Sequence, residues 1–174
     1  MRLFTAIDLE SEIKTYLYNL QFRSKFAKIR WIPKKNLHLT LKFFGDKDFE
    51  KIDKLLQQIR HSKFKLKLTK IEFFPSEENI NIVWVGVEPE EKLMELQRII
   101  DQETFDLGDK PVKLGGHITL GRVKSVRKKE DFLKELKKIK IDQLSFEVKN
   151  FKLFKSTLNK DSPKYDVLNS YNLE

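Results

Sequence analysis

Cysteine is absent from this 174-residue chain, which removes disulfides, thiolate zinc sites and a cysteine nucleophile. Histidine is nearly absent, at three residues. Glycine and proline are also scarce, at six and five. There is no Walker loop, no G-x-G-x-x-G and no glycine-rich nucleotide cradle, so neither ATP nor any other cofactor is expected. No run approaches the roughly 20 apolar residues of a membrane span. The opening MRLFTAIDLE is apolar for only a few residues before Asp8, which reads as too short for a signal peptide. A cytoplasmic location and no membrane partner are expected.

Apolar side chains are plentiful. Hydrophobic residues make up 40%, including 14 Phe, and charged residues 35%. That composition builds a core under a charged surface. The formal net charge is +9 and the sequence pI about 9.5. A basic excess attracts anionic partners, nucleic acid first among them. Abundant Lys and Glu without Cys equally fits a heat-adapted protein, so charge alone does not choose.

The chain repeats itself. RLFTAIDL at 2–9 reads as a buried strand, and 10–26 as a helix carrying Ile13, Tyr16, Leu17 and Leu20. NLHLTLKFFG at 36–45 is a strand, 48–60 a helix, and FKLKLTKIEFF from 64 a strand. The order then restarts: INIVWVGVE at 80–88, a helix over 90–105, HITLGRV, a helix over 129–139 and LSFEVKN from 144. His38 and His117 lie 117 − 38 = 79 apart, and the same offset carries Ala6 to Val85. A repeated supersecondary unit predicts two pseudo-symmetric lobes. The expected fold is α+β: two lobes, each an antiparallel sheet with outer helices, and a cleft between them. One bilobal domain should span 1–174, with repeat halves at about 1–74 and 80–149 and a C-terminal strand pair over 150–174.

Two of the three histidines sit in the same frame, His38-Leu-Thr-Leu and His117-Ile-Thr-Leu. Side chains alternate along a strand, so His38 and Thr40 share one face, as do His117 and Thr119. Facing lobes would bring two imidazoles and two hydroxyls into one polar cleft. Two histidines can hold one proton between them. One removes a proton from a nucleophile, the other protonates a leaving oxygen, and the Thr hydroxyls donate to anionic oxygens. A phosphodiester, a cyclic one above all, presents every part this set would act on. Two His with an acid could bind zinc, but no third ligand stands at a suggestive spacing, so no metal is expected.

Paired H-x-T motifs, one per half, resemble the 2H phosphoesterases, and within them the RNA 2′,3′-cyclic phosphodiesterases (the LigT, or 2′-5′ RNA ligase-like, family). The resemblance covers nearly the whole chain, through RLFTAIDL, HLTLKFFG, NIVWVGV, HITLGR and SPKYDVL. It implies hydrolysis of a terminal 2′,3′-cyclic phosphate on RNA to a 2′-phosphomonoester, with 2′-5′ ligation as the reverse reaction. It assigns His38 as proton donor and His117 as acceptor, an assignment the residues alone do not fix. It carries substrate contact onto Phe43, against a base, and Arg122, toward phosphate or base. Strict alternation would put both on the wrong face, so each strand must bulge or end first. The rival reading is an RNA-end or tRNA-binding module with little turnover. The protein is expected to act as a monomer on RNA bearing a cyclic phosphate terminus.

Lys42 and, more distantly, Lys34 and Lys35 flank the first motif and are expected to draw RNA in. Gly115 and Gly116 stand where relatives often carry Pro before the histidine. Their N–H groups could approach an anion, or the pair could form a turn. His61 reads as a helix C-terminal residue without a catalytic role, and the charges of 127–140 as a solvated face.

Overall fold

The computed structural model describes residues 1–109 and 115–174. In chain order the elements are β1 (Arg2–Asp8), α1 (Ser11–Asn19), β2 (Ala27–Trp31), β3 (His38–Asp46), α2 (Phe49–Leu56), β4 (Phe64–Pro75), β5 (Ile80–Glu88), α3 (Glu91–Glu103), β6 (His117–Val126), α4 (Lys129–Lys137), β7 (Ser145–Val148), β8 (Asn150–Thr157) and β9 (Lys164–Asn172). A single 3₁₀ turn, Lys34–Asn36, joins β2 to β3.

Each helix forms because one stripe of it is apolar. α2 begins at Asp48, whose carboxylate accepts from the Lys51 N–H at 2.9 Å, and it buries Ile52 and Leu56. α3 buries Leu93, Leu96 and Ile100, and α4 buries Phe132 and Leu136. These stripes pack on one face of the sheet, against Leu3, Ile7, Leu39, Val83, Val85 and Ile118 among others. The lysines of α4 point to solvent, and Lys137 pairs with Glu77 at 3.1 Å.

The strands make one antiparallel sheet in the order β7-β4-β5-β6-β3-β1-β8-β9, with β2 added beside β6. β3, β1, β8 and β9 form one lobe, and β6, β5, β4 and β7 the other. The lobes join where Leu39 of β3 pairs with Ile118 of β6. These residues hold the same place in the two repeats, so a pseudo-two-fold axis runs between them. The halves also exchange strands. β4, from the first half, pairs with β5 and β7, whereas β8, beyond the second, pairs with β1.

Two details differ from the expectation. Ile7 pairs with Leu39 and Val85 with Ile118, so the partner of Val85 in the repeat is Ile7, not Ala6. The second half carries one more residue between its opening strand and its motif. The first helix also stops at Asn19 rather than 26. Ser24 Oγ accepts from the N–H groups of Phe26 and Ala27, each at 3.1 Å, a local bond that competes with helix. The chain then turns into β2, which pairs with β6 from Ala27–Val126 to Trp31–Gly121.

Candidate active site

The Leu39–Ile118 pair fixes the geometry of the site. Both side chains are fully buried under the helices. Their neighbours therefore point to the opposite, open face. Antiparallel register one step either way sets His38 across from Thr119 and Thr40 across from His117. The four motif side chains converge where the lobes meet.

His38 is held by its own strand. Its Nδ1 lies 2.6 Å from the Asn36 carbonyl oxygen and its Nε2 2.9 Å from Thr40 Oγ1. A carbonyl only accepts, so Nδ1 carries a proton and Nε2 is the ring nitrogen whose protonation can change. In the neutral ring the Thr40 hydroxyl donates to Nε2. An aromatic wall surrounds the imidazole: Phe4 at 5.2 Å between ring centroids and Tyr165 edge-on at 5.4 Å. Burial pushes the His38 pKa down. The Asn36 carbonyl and the Asp8 carboxylate oppose that shift, while Lys14 and His117 add to it. Asp8, which pairs with His38 in the ladder, binds Lys14 at 2.7 Å and Lys152 at 2.9 Å. Those two cations hold its carboxyl below the ordinary range despite burial. His117 is more exposed, with the Trp84 ring edge-on at 5.5 Å.

Both strands bulge directly after their motifs. Ala6 pairs with Thr40 but Thr5 with Lys42, which leaves Leu41 as the extra residue. Trp84 pairs with Thr119 but Val83 with Gly121, which leaves Leu120. The bulges occupy equivalent repeat positions and reverse the alternation. They turn Phe43 and Arg122 back to the open face, opposite Phe4 and Ile82. Phe43 is 54% exposed and touches Phe4 at 5.8 Å between centroids.

The same bulge corrects the expectation for Lys42. It sends that side chain under the sheet, where Nζ lies 2.6 Å from Asp101 Oδ1 of α3. Lys42 is 5% exposed and cannot reach a ligand in the cleft. Lys34 and Lys35 remain exposed on the 3₁₀ turn.

Gly115 and Gly116 dock the approach to His117 against the middle of α3 and the residue that precedes it. The Gly115 N–H donates to Gln97 Oε1 at 2.8 Å, and its carbonyl accepts from Gln97 Nε2 at 2.9 Å. The Gly116 N–H donates to Glu90 Oε1 at 2.9 Å. These N–H groups serve packing, not an anion. Gly115 has φ +120, and a Cβ on Gly116 would run into Val87 and Leu93, which accounts for the two glycines. His61 lies beyond α2, buried beside Phe64, with Nδ1 2.8 Å from the Ser62 carbonyl and Nε2 3.4 Å from Glu95 Oε2. Among the described residues no group of three or more His, Cys, Asp or Glu side chains is placed to hold a metal ion.

A family model, LigT like Phosphoesterase, matches residues 7–84 and again 85–165. The chain belongs to the LigT-like phosphoesterase family. A curated relative from Methanocaldococcus jannaschii, named RNA 2′,3′-cyclic phosphodiesterase, is 36% identical over 98% of this chain and 100% of its own length. One of the same name from Methanothermobacter thermautotrophicus is 29% identical over 99% of each. A crystal structure of E. coli LigT complexed with 3′-AMP superposes with a TM-score of 0.77 at 25% identity, covering 99% of this chain and 97% of that one. The two family-model segments meet inside β5.

Several residues around this LigT-like centre carry no motif of their own. Asp8 and Lys14 act on the charge of His38 and Lys152 binds Asp8, yet none of the three lies near His38 in sequence. Tyr165 arrives from β9 and faces both the His38 ring and the charge of Arg122. The one available signal is that Asp8, Trp84 and Tyr165 fall inside the family-like stretches RLFTAIDL, NIVWVGV and SPKYDVL.

Proposed function

We propose that this LigT-like phosphoesterase hydrolyses the terminal 2′,3′-cyclic phosphate of RNA to a 2′-phosphomonoester, and that the two histidines exchange the protons. The observation that carries the reading is the convergence of His38, Thr40, His117 and Thr119 on one face at the symmetric junction of the lobes. Two imidazoles and two hydroxyls there match the needs of in-line displacement at phosphorus.

His117 takes a proton from water as the water oxygen bonds to phosphorus. The bond from phosphorus to O3′ breaks as His38 Nε2–H protonates that oxygen, leaving a 3′-hydroxyl and a 2′-phosphate. Each transfer supplies about 10²–10⁴-fold. Protonation of Nε2 also frees the Thr40 hydroxyl, which then donates to a non-bridging oxygen, as Thr119 does from the other strand. Burial disfavours the charged form of free His38, and an anionic substrate arriving beside it favours the imidazolium. A donor with a lowered pKa is the stronger acid toward the departing alkoxide. Phe43 offers a ring to a base, and Arg122 a fork of donors to phosphate. With a 5′-hydroxyl in place of water as the nucleophile, the same transfers in the same direction join RNA ends through a 2′-5′ linkage, and their reversal cleaves that linkage to a 2′,3′-cyclic phosphate.

The direct test is an oligoribonucleotide ending in a 2′,3′-cyclic phosphate, incubated with the protein and EDTA. Ring opening to the 2′-phosphate is expected. RNA binding without ring opening would replace this reading with a binding module.

Asp8 provides a test of the His38 charge, and a modified leaving group a test of the roles. Its charge favours the His38 imidazolium. Asp8→Asn removes that charge and leaves Lys14 and Lys152 uncompensated, so the His38 pKa falls further. The limb of the kcat/KM–pH profile that His38 governs therefore moves to lower pH. Rescue of His38→Ala, but not of His117→Ala, by a substrate with sulfur in place of the leaving O3′ would mark His38 as the donor, because a thiolate leaves without protonation; the opposite rescue would mark it as the acceptor.

A further inference from the structure

Lys42 and Phe43 are neighbours on β3, and each lies on the face that solvent disfavours. The lysine is 5% exposed and the phenylalanine 54%. Water favours the reverse at both positions. The reversal follows from the bulge at Leu41, and the repeat shows how an equivalent bulge is held. In the second lobe the residues after the bulge are Gly121 and Arg122, and β2 pairs with both, through Trp31 and Arg30. A Cβ on Gly121 would run into Ile29 and Trp31, so the place that Lys42 holds in the first lobe has no room for a side chain in the second. Among the described residues β3 has no such flanking strand. Beyond the Leu39–Ile118 pair, its edge away from β1 is met by Asp109, whose N–H donates to the Phe43 carbonyl at 3.0 Å.

The Lys42 side chain takes the place of a flanking strand. It runs under the sheet to the C-terminal end of α3. Its Nζ lies 2.6 Å from Asp101 Oδ1, 3.4 Å from the Thr104 carbonyl oxygen and 5.8 Å from the centroid of the Phe44 ring. Thr104 ends α3, so the ammonium also meets the negative end of the helix. Stability alone does not call for this pair, because a buried ion pair is often no better than an apolar pair of the same volume. What it does select is register. A slip of one residue turns each side chain to the other face. With the ammonium tied to α3, Lys42 stays under the sheet and Phe43 stays above it.

We propose that the Lys42–Asp101 pair is a register lock, which holds the β3 bulge and so keeps the Phe43 ring on the open face to meet the base of the substrate. This rests on the cyclic-phosphodiesterase reading and adds two positioning residues to it, neither of which touches substrate. Without Asp101 the ammonium is buried and unpaired, a costly state. Lys42 then turns to solvent, and Phe43 leaves the cleft. With methionine at 42 there is no charge to release, so loss of Asp101 no longer moves the strand.

The test uses Asp101→Ala, Lys42→Met, the two together, and Phe43→Ala with and without Asp101→Ala. Acetylation of the folded protein, mapped by mass spectrometry below the Tm of each variant, reads the register directly. Lys42 is protected in wild type and becomes labelled in Asp101→Ala. With adenosine 2′,3′-cyclic phosphate, KM in Asp101→Ala rises about tenfold, what the loss of one base–aromatic stack costs. Its kcat holds, because the motif residues precede the bulge. Lys42→Met suppresses the rise in the double variant. 1-O-methylribose 2′,3′-cyclic phosphate, which has no base, keeps its KM throughout, and in a Phe43→Ala background Asp101→Ala adds nothing. Continued protection of Lys42 in Asp101→Ala overturns the proposal. So does a KM rise that the base-free substrate shares or that Lys42→Met fails to suppress, and so does a Phe43→Ala variant with the wild-type KM. Asp101→Asn replaces Asp101→Ala should the latter not fold. If wild type opens no cyclic phosphate, the activity reading has failed on its own. Labelling then still decides the lock, and affinity for adenosine 2′-monophosphate stands in for KM.

Discussion

His117→Ala lowers kcat for the cyclic phosphate by about 10²–10⁴-fold, and His38→Ala falls in the same range. Each removes one of two coupled proton transfers, so the double variant is little slower than the worse single one. Affinity for a 2′-phosphate-terminated oligonucleotide is expected to change far less, because the contacts proposed for Phe43 and Arg122 remain. Quenched-flow or gel analysis of ring opening beside a binding titration separates the two quantities. The variants differ in stability. His117 is exposed, whereas His38 packs among Phe4, Phe154 and Tyr165, so alanine at 38 leaves a gap. His38→Gln fills more of that space and cannot donate an acidic proton. If it also loses activity while keeping its Tm, chemistry and not packing is responsible. Wild-type rates in either single variant would end the two-histidine mechanism.

Leu39→Ala costs about 2–5 kcal/mol of stability, and Ile118→Ala a similar amount. Both side chains are fully buried, and their pairing is the ladder contact between β3 and β6. A chain of this size loses roughly 2–4 °C of Tm per kcal/mol, so a drop of about 4–20 °C is expected by calorimetry. The two positions touch, so their effects are not additive. Activity should fall further than stability alone explains, because this pair sets the spacing of the histidines. A loss below about 1 kcal/mol would mean that the lobes are held elsewhere.

The face assignment of the four motif residues was legible in the sequence because strand alternation depends only on local backbone geometry. The bulges were legible only indirectly. Phe43 and Arg122 stood on the wrong face for an unbroken strand, and Leu41 and Leu120 are ordinary strand residues that say nothing of it. Lys42 was misread for the same reason, since one inserted residue decides between RNA and Asp101. β2 was hidden because Leu20 and Phe22 continue an apolar pattern that Ser24 then interrupts. The exchange of β4 and β8 left no local trace. Nor did the grouping of Asp8 with Lys14, Lys152 and Tyr165, which depends on which distant strands become neighbours.

That exchange governs how the chain can be made. β1 to β4 leave the ribosome first; β1 can pair with β3, yet its other edge stays open until β8, and β4 finds its ladder only on β5 and β7. The earlier half thus emerges with an exposed twelve-residue strand, Phe64–Pro75, and no sheet to receive it. Neither half holds all the ladder partners of its own strands, so the sheet is complete only once β5, β7 and β8 have followed.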